Sequence, residues 1–259
     1  MSGTLYIVGG PIGNKKDASP FFIESIQKAK YLVVEQIDIL FDQLKKFNAP
    51  NPTGELIPIE YVSLAGEPGK SLELENLDKI INILKNGEDV YLVSDEGMPG
   101  IADPGELLIR EAIKNDINIY ATPGPSVVLS AVAIAGCLHK FSFEGFLSFD
   151  SWDRGHEWKE LKNRVNPMVF LIKNRERNVI PDLPGPYSDH IFELMEEAME
   201  TFGENRKAVL MYNLTSEDYG HPQSVFRGTL KYLYDFVKNN ERLPGNCCIV
   251  IDGKISKII

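Results

Sequence analysis

Four short apolar runs constrain this chain more than any other feature: Leu5–Val8, Tyr31–Val34, Val90–Val93 and Ile117–Ala121. Each empties at once into breakers or acids. These are Gly9-Gly10-Pro11-Ile12-Gly13, Glu35, Ser94-Asp95-Glu96-Gly97-Met98-Pro99-Gly100 and Thr122-Pro123-Gly124-Pro125-Ser126. A short apolar run bounded this way reads as a buried strand ending in a tight loop. Between the runs the spacing changes to that of amphipathic helices. Ser19 caps and Pro20 opens one, with Phe22, Ile26 and Ala29 on one face. Ile37, Leu40, Phe41 and Leu44 follow i, i+3, i+4, i+7. Ser71 opens a third, with Leu77, Ile80, Ile81 and Leu84 inward and Gly87 as the stop. Asp103 and Pro104 read as cap and first residue of a helix reaching Asn115. Ile57–Val62 is a further strand candidate, and Asn48–Gly54 and Gly66–Lys70 are loops. This alternation argues a largely parallel sheet covered on both faces. The loops at Gly9, Glu35, Ser94 and Ala121 would then share one edge, where open α/β sheets bind ligands.

The Thr122–Ser126 breaker suits a hinge, and a tight active-site loop would read the same way; a domain boundary is expected there, between 1–121 and 122–259. The second half reads as α/β as well. It comprises a helix Val127–Ala135 stopped by Gly136, a strand Phe141–Leu147, a polar segment Ser148–Gly155, a helix Glu157–Val165 and a strand Met168–Lys173. After a rigid Pro181–Pro186 loop come a helix through Ile191, Leu194, Met195 and Ala198, a strand Ala208–Tyr212, a helix through Leu230, Leu233, Tyr234 and Val237, and a strand Cys247–Ile251.

Bulk properties exclude several classes. A net charge of −10 argues against a protein held to nucleic acid by a general basic surface. No apolar run approaches the roughly 20 residues of a membrane helix. The opening MSGTLYIVGG has no basic segment before its apolar run, so a cytoplasmic location is expected, with no membrane partner. Three cysteines lack disulfide or metal-ligand spacing, no metal is expected, and Cys247 and Cys248 read as small core residues.

The loops carry the chemistry. The first does not match G-x-G-x-x-G, because Pro11 takes the second glycine's place and removes a backbone donor that a pyrophosphate would use. The central loop sets Asp95 and Glu96 beside Gly97 and Gly100. Carboxylates there suit hydroxyls or a positive charge, not a phosphate; the plainer alternative is that they cap turns and face water.

Four segments in register, LYIVGGPIGN with Asp17, VSDEGMPGIADPG, TPGPSVVLSAVAIAG and FEGFL, make the chain resemble the tetrapyrrole methylase superfamily of S-adenosylmethionine-dependent methyltransferases. The likeness is greatest to its small-subunit ribosomal RNA methyltransferase I branch, over residues 4–150 and more loosely beyond. It implies two α/β domains with the cofactor cleft between them, usually a homodimer, and S-adenosylmethionine as cofactor. Carried over, Pro11 and Ile12 would line the cofactor, and Asp95, Glu96 and Gly97 would hold its methionine or ribose part, with Met98 and Ile101 alongside. Ser126 and Val127 would close the site, and Leu171, Asn213 and Leu214 would cover the adenine. The acceptor implied is ribosomal RNA or the small ribosomal subunit.

The chain departs from that branch at charged positions. Its E-D-T-R is here Glu35-Gln36-Ile37-Asp38, its E-S-x-H-R is Lys173-Asn174-Arg175-Glu176-Arg177, its R-E-L-T-K is Tyr212-Asn213-Leu214-Thr215-Ser216 and its K-G-E is Pro244-Gly245-Asn246; its H-N-E has no counterpart in Tyr61–Lys70. The cofactor-side motifs are kept and several acceptor-side charges are not. A tetrapyrrole or other small-molecule acceptor, and a cofactor-binding protein without catalysis, therefore stand as alternatives. Glu144 is the candidate for acceptor-side catalysis; the plainer reading is a strand-end carboxylate paired with Lys or Arg. Trp152, Arg154, His156 and Trp158 form an aromatic and basic cluster that could stack on RNA bases; the ordinary alternative is a helix with tryptophans in the core. Lys173, Arg175 and Arg177 make a basic run, solvated or facing phosphates, and His139, His156, His190 and His221 read as solvent or capping histidines.

Overall fold

The computed structural model describes residues 2–47, 51–59, 61–62, 70–137, 140–148, 150–172, 190–218, 220–239 and 246–255. The chain divides into two compact units, Met1–Ser126 and Val127–Ile259. The division falls after Ser126 rather than at 121/122, because the last strand of the first unit includes Thr122 and Gly124 packs on the backbone of Gly9.

In the first unit the elements are β1 (Thr4–Val8), α1 (Pro20–Lys28), β2 (Tyr31–Val34), α2 (Ile37–Phe47), β3 (Glu55–Pro58), β4 (Tyr61–Val62), β5 (Lys70–Ser71), α3 (Leu72–Lys85), β6 (Val90–Val93), α4 (Glu106–Lys114) and β7 (Asn118–Thr122). The sheet runs β3-β2-β6-β1-β7, and every pair in it is parallel. Parallel strands are buried on both faces, which is why these runs are apolar without alternation. Leu5, Val33, Val90 and Leu92 pack with Ile80 and Leu84 of α3 and Leu108 and Ala112 of α4. Val8, Leu32, Val34 and Val93 pack on the opposite side with Phe22 and Ile26 of α1 and Leu40 and Leu44 of α2. The hydroxyl of Ser19 accepts from the Phe22 N–H at 3.0 Å, and that of Ser71 from Leu74 at 3.3 Å, as their caps require.

Two details differ from the sequence reading. The expected strand Ile57–Val62 is two pieces, β3 on the main sheet and β4 paired antiparallel with β5. Helix α4 is capped not by Asp103 but by Gly105, which sits at φ 114°, with no side-chain bond of its own. A methyl group on Gly105 would lie 2.9 Å from a Leu92 side-chain carbon, so the turn needs glycine for space as well as conformation. The open N-terminus of α4 is served by the buried Glu73 of α3, whose carboxylate accepts from the Leu108 N–H at 2.8 Å.

The second unit contains α5 (Val127–Ala135), β8 (Ser142–Phe146), α6 (Ser151–Leu161), β9 (Met168–Ile172), α7 (His190–Phe202), β10 (Lys207–Tyr212), β11 (Ser224–Thr229), α8 (Leu230–Asn239) and β12 (Cys247–Ile251). Its sheet order is β11-β10-β12-β9-β8, and only β8 and β9 run parallel. One face packs Met168, Phe170, Leu210 and Ile249 against α6, α7 and α8; the other packs Val169, Val209, Cys248 and Val250 against Ala131 and Ala135 of α5. Both Cys247 and Cys248 are buried core residues.

Strand β11 has no counterpart in the sequence reading, since its half-buried edge sequence SVFRGT carries little apolar signal. Helix α6 begins at Ser151, not Glu157, because the Asp150 carboxylate accepts from the Trp152 and Asp153 N–H groups at 2.9 and 3.0 Å. The expected loops Gly66–Lys70 and Pro181–Pro186 lie wholly or mostly outside the described residues, as do His139 and the run Lys173, Arg175 and Arg177.

Candidate functional site

A parallel sheet sends β1, β2, β6 and β7 to the same edge, and three of the loops that follow are knitted together there. Gly10 donates its N–H to the Gly97 carbonyl at 2.7 Å, and Gly97 returns its own to the Pro11 carbonyl at 3.2 Å. The missing donor of Pro11 is thus no loss; its carbonyl does the work. Gly97 sits at φ 75°, and a methyl group there would come within 3.3 Å of the Ile12 side chain. A methyl group on Gly9 would lie 2.6 Å from both the Gly124 Cα and the Met98 sulfur. Only glycines let the first, central and third loops approach this closely.

Beside this crossing, β2 and β6 end in a reciprocal pair of bonds. The Asp95 N–H donates to a Glu35 carboxylate oxygen at 3.1 Å, and the Gln36 N–H donates to Asp95 Oδ1 at 3.2 Å. Gln43 of α2 donates its amide to the Asp95 carbonyl. The Asp95 carboxyl is pushed up to about 8, chiefly by burial and then by the charge on Glu35; Asp103 and Glu96 add to the effect, and the Gln36 N–H opposes it. A half-buried acid crowded by acids holds its negative charge at a cost, and a cation placed there would relieve it. Glu35, Gln36 and Gln43 escaped the sequence reading as site residues. The signal was present in register: β2 pairs with β6 at Val34 and Val93, which sets Glu35 beside Ser94.

The other expected positions fall as follows. Within the first unit Pro11, Ile12 and Gly97 are buried, Met98 and Ser126 half-buried, and Glu96 exposed; Ile101 is 53% exposed. In the second unit Val127, Leu171 and Leu214 share the apolar cluster on the α5 side of the sheet. Asn213 and Thr215 follow β10 at φ 48° and 67°, a costly backbone for a β-branched threonine. The Asn213 N–H donates to the Asn246 carbonyl at 2.9 Å, and the Thr215 N–H to the Gln223 side-chain oxygen at 2.8 Å, which hold the turn.

Glu144 lies on β8 where the pairing with β9 slips between Phe143 and Gly145. Arg164 Nε stands 3.9 Å from its Oε1, too far for a hydrogen bond, and that oxygen is buried with no hydrogen-bond partner among the described residues. The aromatic and basic cluster separates into two parts. Arg154, 1% exposed, is clamped by both carboxylate oxygens of Glu197 at 2.7 and 2.9 Å, and the Trp158 indole donates to Glu197 at 2.7 Å. Trp152, by contrast, is 71% exposed, and its ring centroid is 4.2 Å from that of His156. His221 stands 3.6 Å from Asp218 at the surface. Among the described residues no helix is long and apolar enough to cross a membrane, and no group of three His, Cys, Asp or Glu side chains is arranged to hold a metal ion.

The fold is that of the tetrapyrrole-type methyltransferases. It matches the methyltransferase CobJ at a TM-score of 0.65 with 15% identity, over 98% of this chain and 95% of that one. It matches the uroporphyrin-III-C-methyltransferase of Thermus thermophilus at 0.59 with 16% identity, over 97% and 94%. The model of the tetrapyrrole (corrin/porphyrin) methylase family matches residues 4–234, and the chain belongs to that family of methyltransferases. Its curated relatives include ribosomal RNA small subunit methyltransferase I of Xylella fastidiosa, 30% identical over 97% of this chain and 82% of that protein. The protein of the same name from Thermotoga maritima is 29% identical over 97% and 99%.

Proposed function

We propose that this chain transfers the methyl group of S-adenosylmethionine to a ribose 2′-oxygen of small-subunit ribosomal RNA. The observation that carries the donor half is the crossing of the Gly9, Ser94 and Thr122 loops beside Asp95. That edge offers carboxylate and close backbone rather than a basic phosphate cradle, and the donor is a sulfonium carrying an ammonium group and a ribose. Bound there, the cofactor supplies an electrophilic methyl group; the chain's part is to hold it and to align the acceptor behind it at near-attack distance. In this reading Pro11, Ile12, Gly97 and Met98 wall the donor, Asp95 and Glu96 take its ammonium or hydroxyls, and Ile101 and Ser126 border it. By the same resemblance Val127, Leu171, Asn213 and Leu214 belong to the adenine side, and the active form is a homodimer in the cytoplasm.

The acceptor half rests on the near-full-length likeness to two ribosomal RNA methyltransferases. The chain's net charge of −10 and the absence of the E-D-T-R arginine favour a second acceptor class, a tetrapyrrole or other small molecule. Labelled S-adenosylmethionine with small subunits lacking this methylation decides between them. Label in the RNA is the expected result, and label only in a small-molecule pool would replace the acceptor. Cofactor binding with no acceptor ever labelled would leave a binding protein without catalysis.

A further inference from the structure

We propose that Gln43 is a positioning residue: it aims Asp95 so that the Oδ2 oxygen of that carboxylate meets the cationic methyl donor. The inference rests on the donor reading above and adds what sets the carboxylate in place. Backbone pairing between β2 and β6 ends at Val34 and Val93, so Asp95 lies in a loop beyond the paired backbone. Side chains extend the ladder instead. A Glu35 carboxylate oxygen accepts the Asp95 N–H at 3.1 Å on one side of the residue, and the Gln43 amide donates to the Asp95 carbonyl on the other. Both peptide groups flanking the Asp95 Cα are therefore held, which sets the direction of its side chain. The Gln36 N–H then takes Oδ1 at 3.2 Å. The N–H, the carbonyl and Oδ1 are thus committed, and Oδ2 has no hydrogen-bond partner among the described residues.

Gln43 is not needed to hold α2 down. Leu40 and Leu44 of the same helix are buried with Val34 and Val93, and that apolar seam anchors it. Positions 40, 43 and 44 share one side of a helix, which turns Gln43 toward the strand ends. Among the described residues its side chain makes one hydrogen bond, to the Asp95 carbonyl. The chemistry of the helpers also suits a cationic ligand. They are a neutral amide, a backbone N–H and an acid. The charges that act most strongly on Asp95 are those of Glu35, Asp103 and Glu96, all acids. A lysine or arginine at position 43 would pair with the carboxylate and compete with the ligand. A neutral donor aims the acid without neutralising it.

Calorimetry with S-adenosylmethionine on the full chain tests this by a double-mutant cycle. Gln43→Met keeps the length of the side chain and loses its donor. It should weaken binding about fivefold, the worth of one hydrogen bond, with the thermal midpoint little changed. Added to Asp95→Asn, it should cost almost nothing further, because the carboxylate it aims is gone. Gln43→Glu is a second variant of the same shape as the native side chain. At pH 9 its carboxylate adds a negative charge beside the site, which by attraction alone would tighten a cation. Loss of the amide donor should instead weaken binding by a similar factor. Wild-type affinity in Gln43→Met, unchanged or tighter binding by Gln43→Glu, or full additivity with Asp95→Asn would overturn the positioning role and leave the donor reading intact. Wild-type protein that binds no S-adenosylmethionine would overturn both.

Discussion

The two sheets of this protein solve the same packing problem in opposite ways. In the five-stranded sheet of the first unit every strand points the same way, so its strand ends gather their loops at one edge. In the second unit β10 runs against both β11 and β12, and β12 against β9, so its loops are shared between two edges. The parallel sheet can therefore assemble Pro11, Asp95, Gly97 and Gly124 from distant stretches into one crossing. In the second unit the buried Arg154–Glu197 clamp joins α6 to α7, so polar chemistry there holds the framework together. A site concentrates where topology gathers loops, and a framework forms where it disperses them.

The largest expected effect tests the framework side. Glu197→Ala removes the two-oxygen clamp from the buried Arg154 guanidinium, leaving it the Glu193 carboxylate and the Ser148 carbonyl, and should destabilise the second unit by about 3–5 kcal/mol, read by urea denaturation. Replacing both Arg154 and Glu197 by apolar residues should recover most of that loss. If Glu197→Ala is silent, the clamp is not what separates the two regions.

On the site side, Gly124→Ala forces a methyl group to within 2.5 Å of the Gly9 backbone. It should cost about 1–3 kcal/mol, and by spreading the loops it should abolish cofactor binding. Gly203→Ala is a contrasting control in the second unit: its strain comes from φ 89° alone, with nothing within 4 Å, so stability should fall while binding stays.

Asp95→Asn should gain stability at the expense of binding. A carboxyl held near 8 in the folded chain, against about 3.9 unfolded, contributes most at low pH and loses its contribution as pH rises from 4 through 8. The variant removes that loss, so it should be more stable than wild type at pH 8 by about 1–2 kcal/mol after allowance for solvent screening. That difference vanishes at pH 4, where the carboxyl is protonated in the folded chain. Wild-type affinity for a cationic ligand should fall as pH drops below 8, since the carboxyl is then protonated; calorimetry across pH 6 to 9 reads this. The smallest effect is Ser19→Ala, which removes the cap on Phe22 and should cost about 1 kcal/mol without touching binding.

The sequence made the first unit legible because its signals are local. Tyr31–Val34 and Val90–Val93 are apolar at every position, and Ser19-Pro20 marks a helix start by its own chemistry. The cap of α4 was not legible, because the glycine at Gly105 is demanded by Leu92 and its missing acceptor comes from Glu73 in another helix. Glu35 was hidden for the same reason: only strand pairing sets it against Asp95. In the second unit β11 is an edge strand that is half-buried at nearly every position, so no alternation of buried and exposed residues announced it. Trp152 and Trp158 look alike in sequence, and only the position of Glu197 on α7 decides which one is drawn inside.

The central claim is that the crossing beside Asp95 holds a cationic methyl donor. Isothermal titration calorimetry of S-adenosylmethionine against wild type and Asp95→Asn tests it directly. The account predicts binding by the wild type and affinity at least about tenfold weaker in the variant at pH 8, with the fold intact. Equal affinity in the two proteins, or no binding by the wild type, would contradict it.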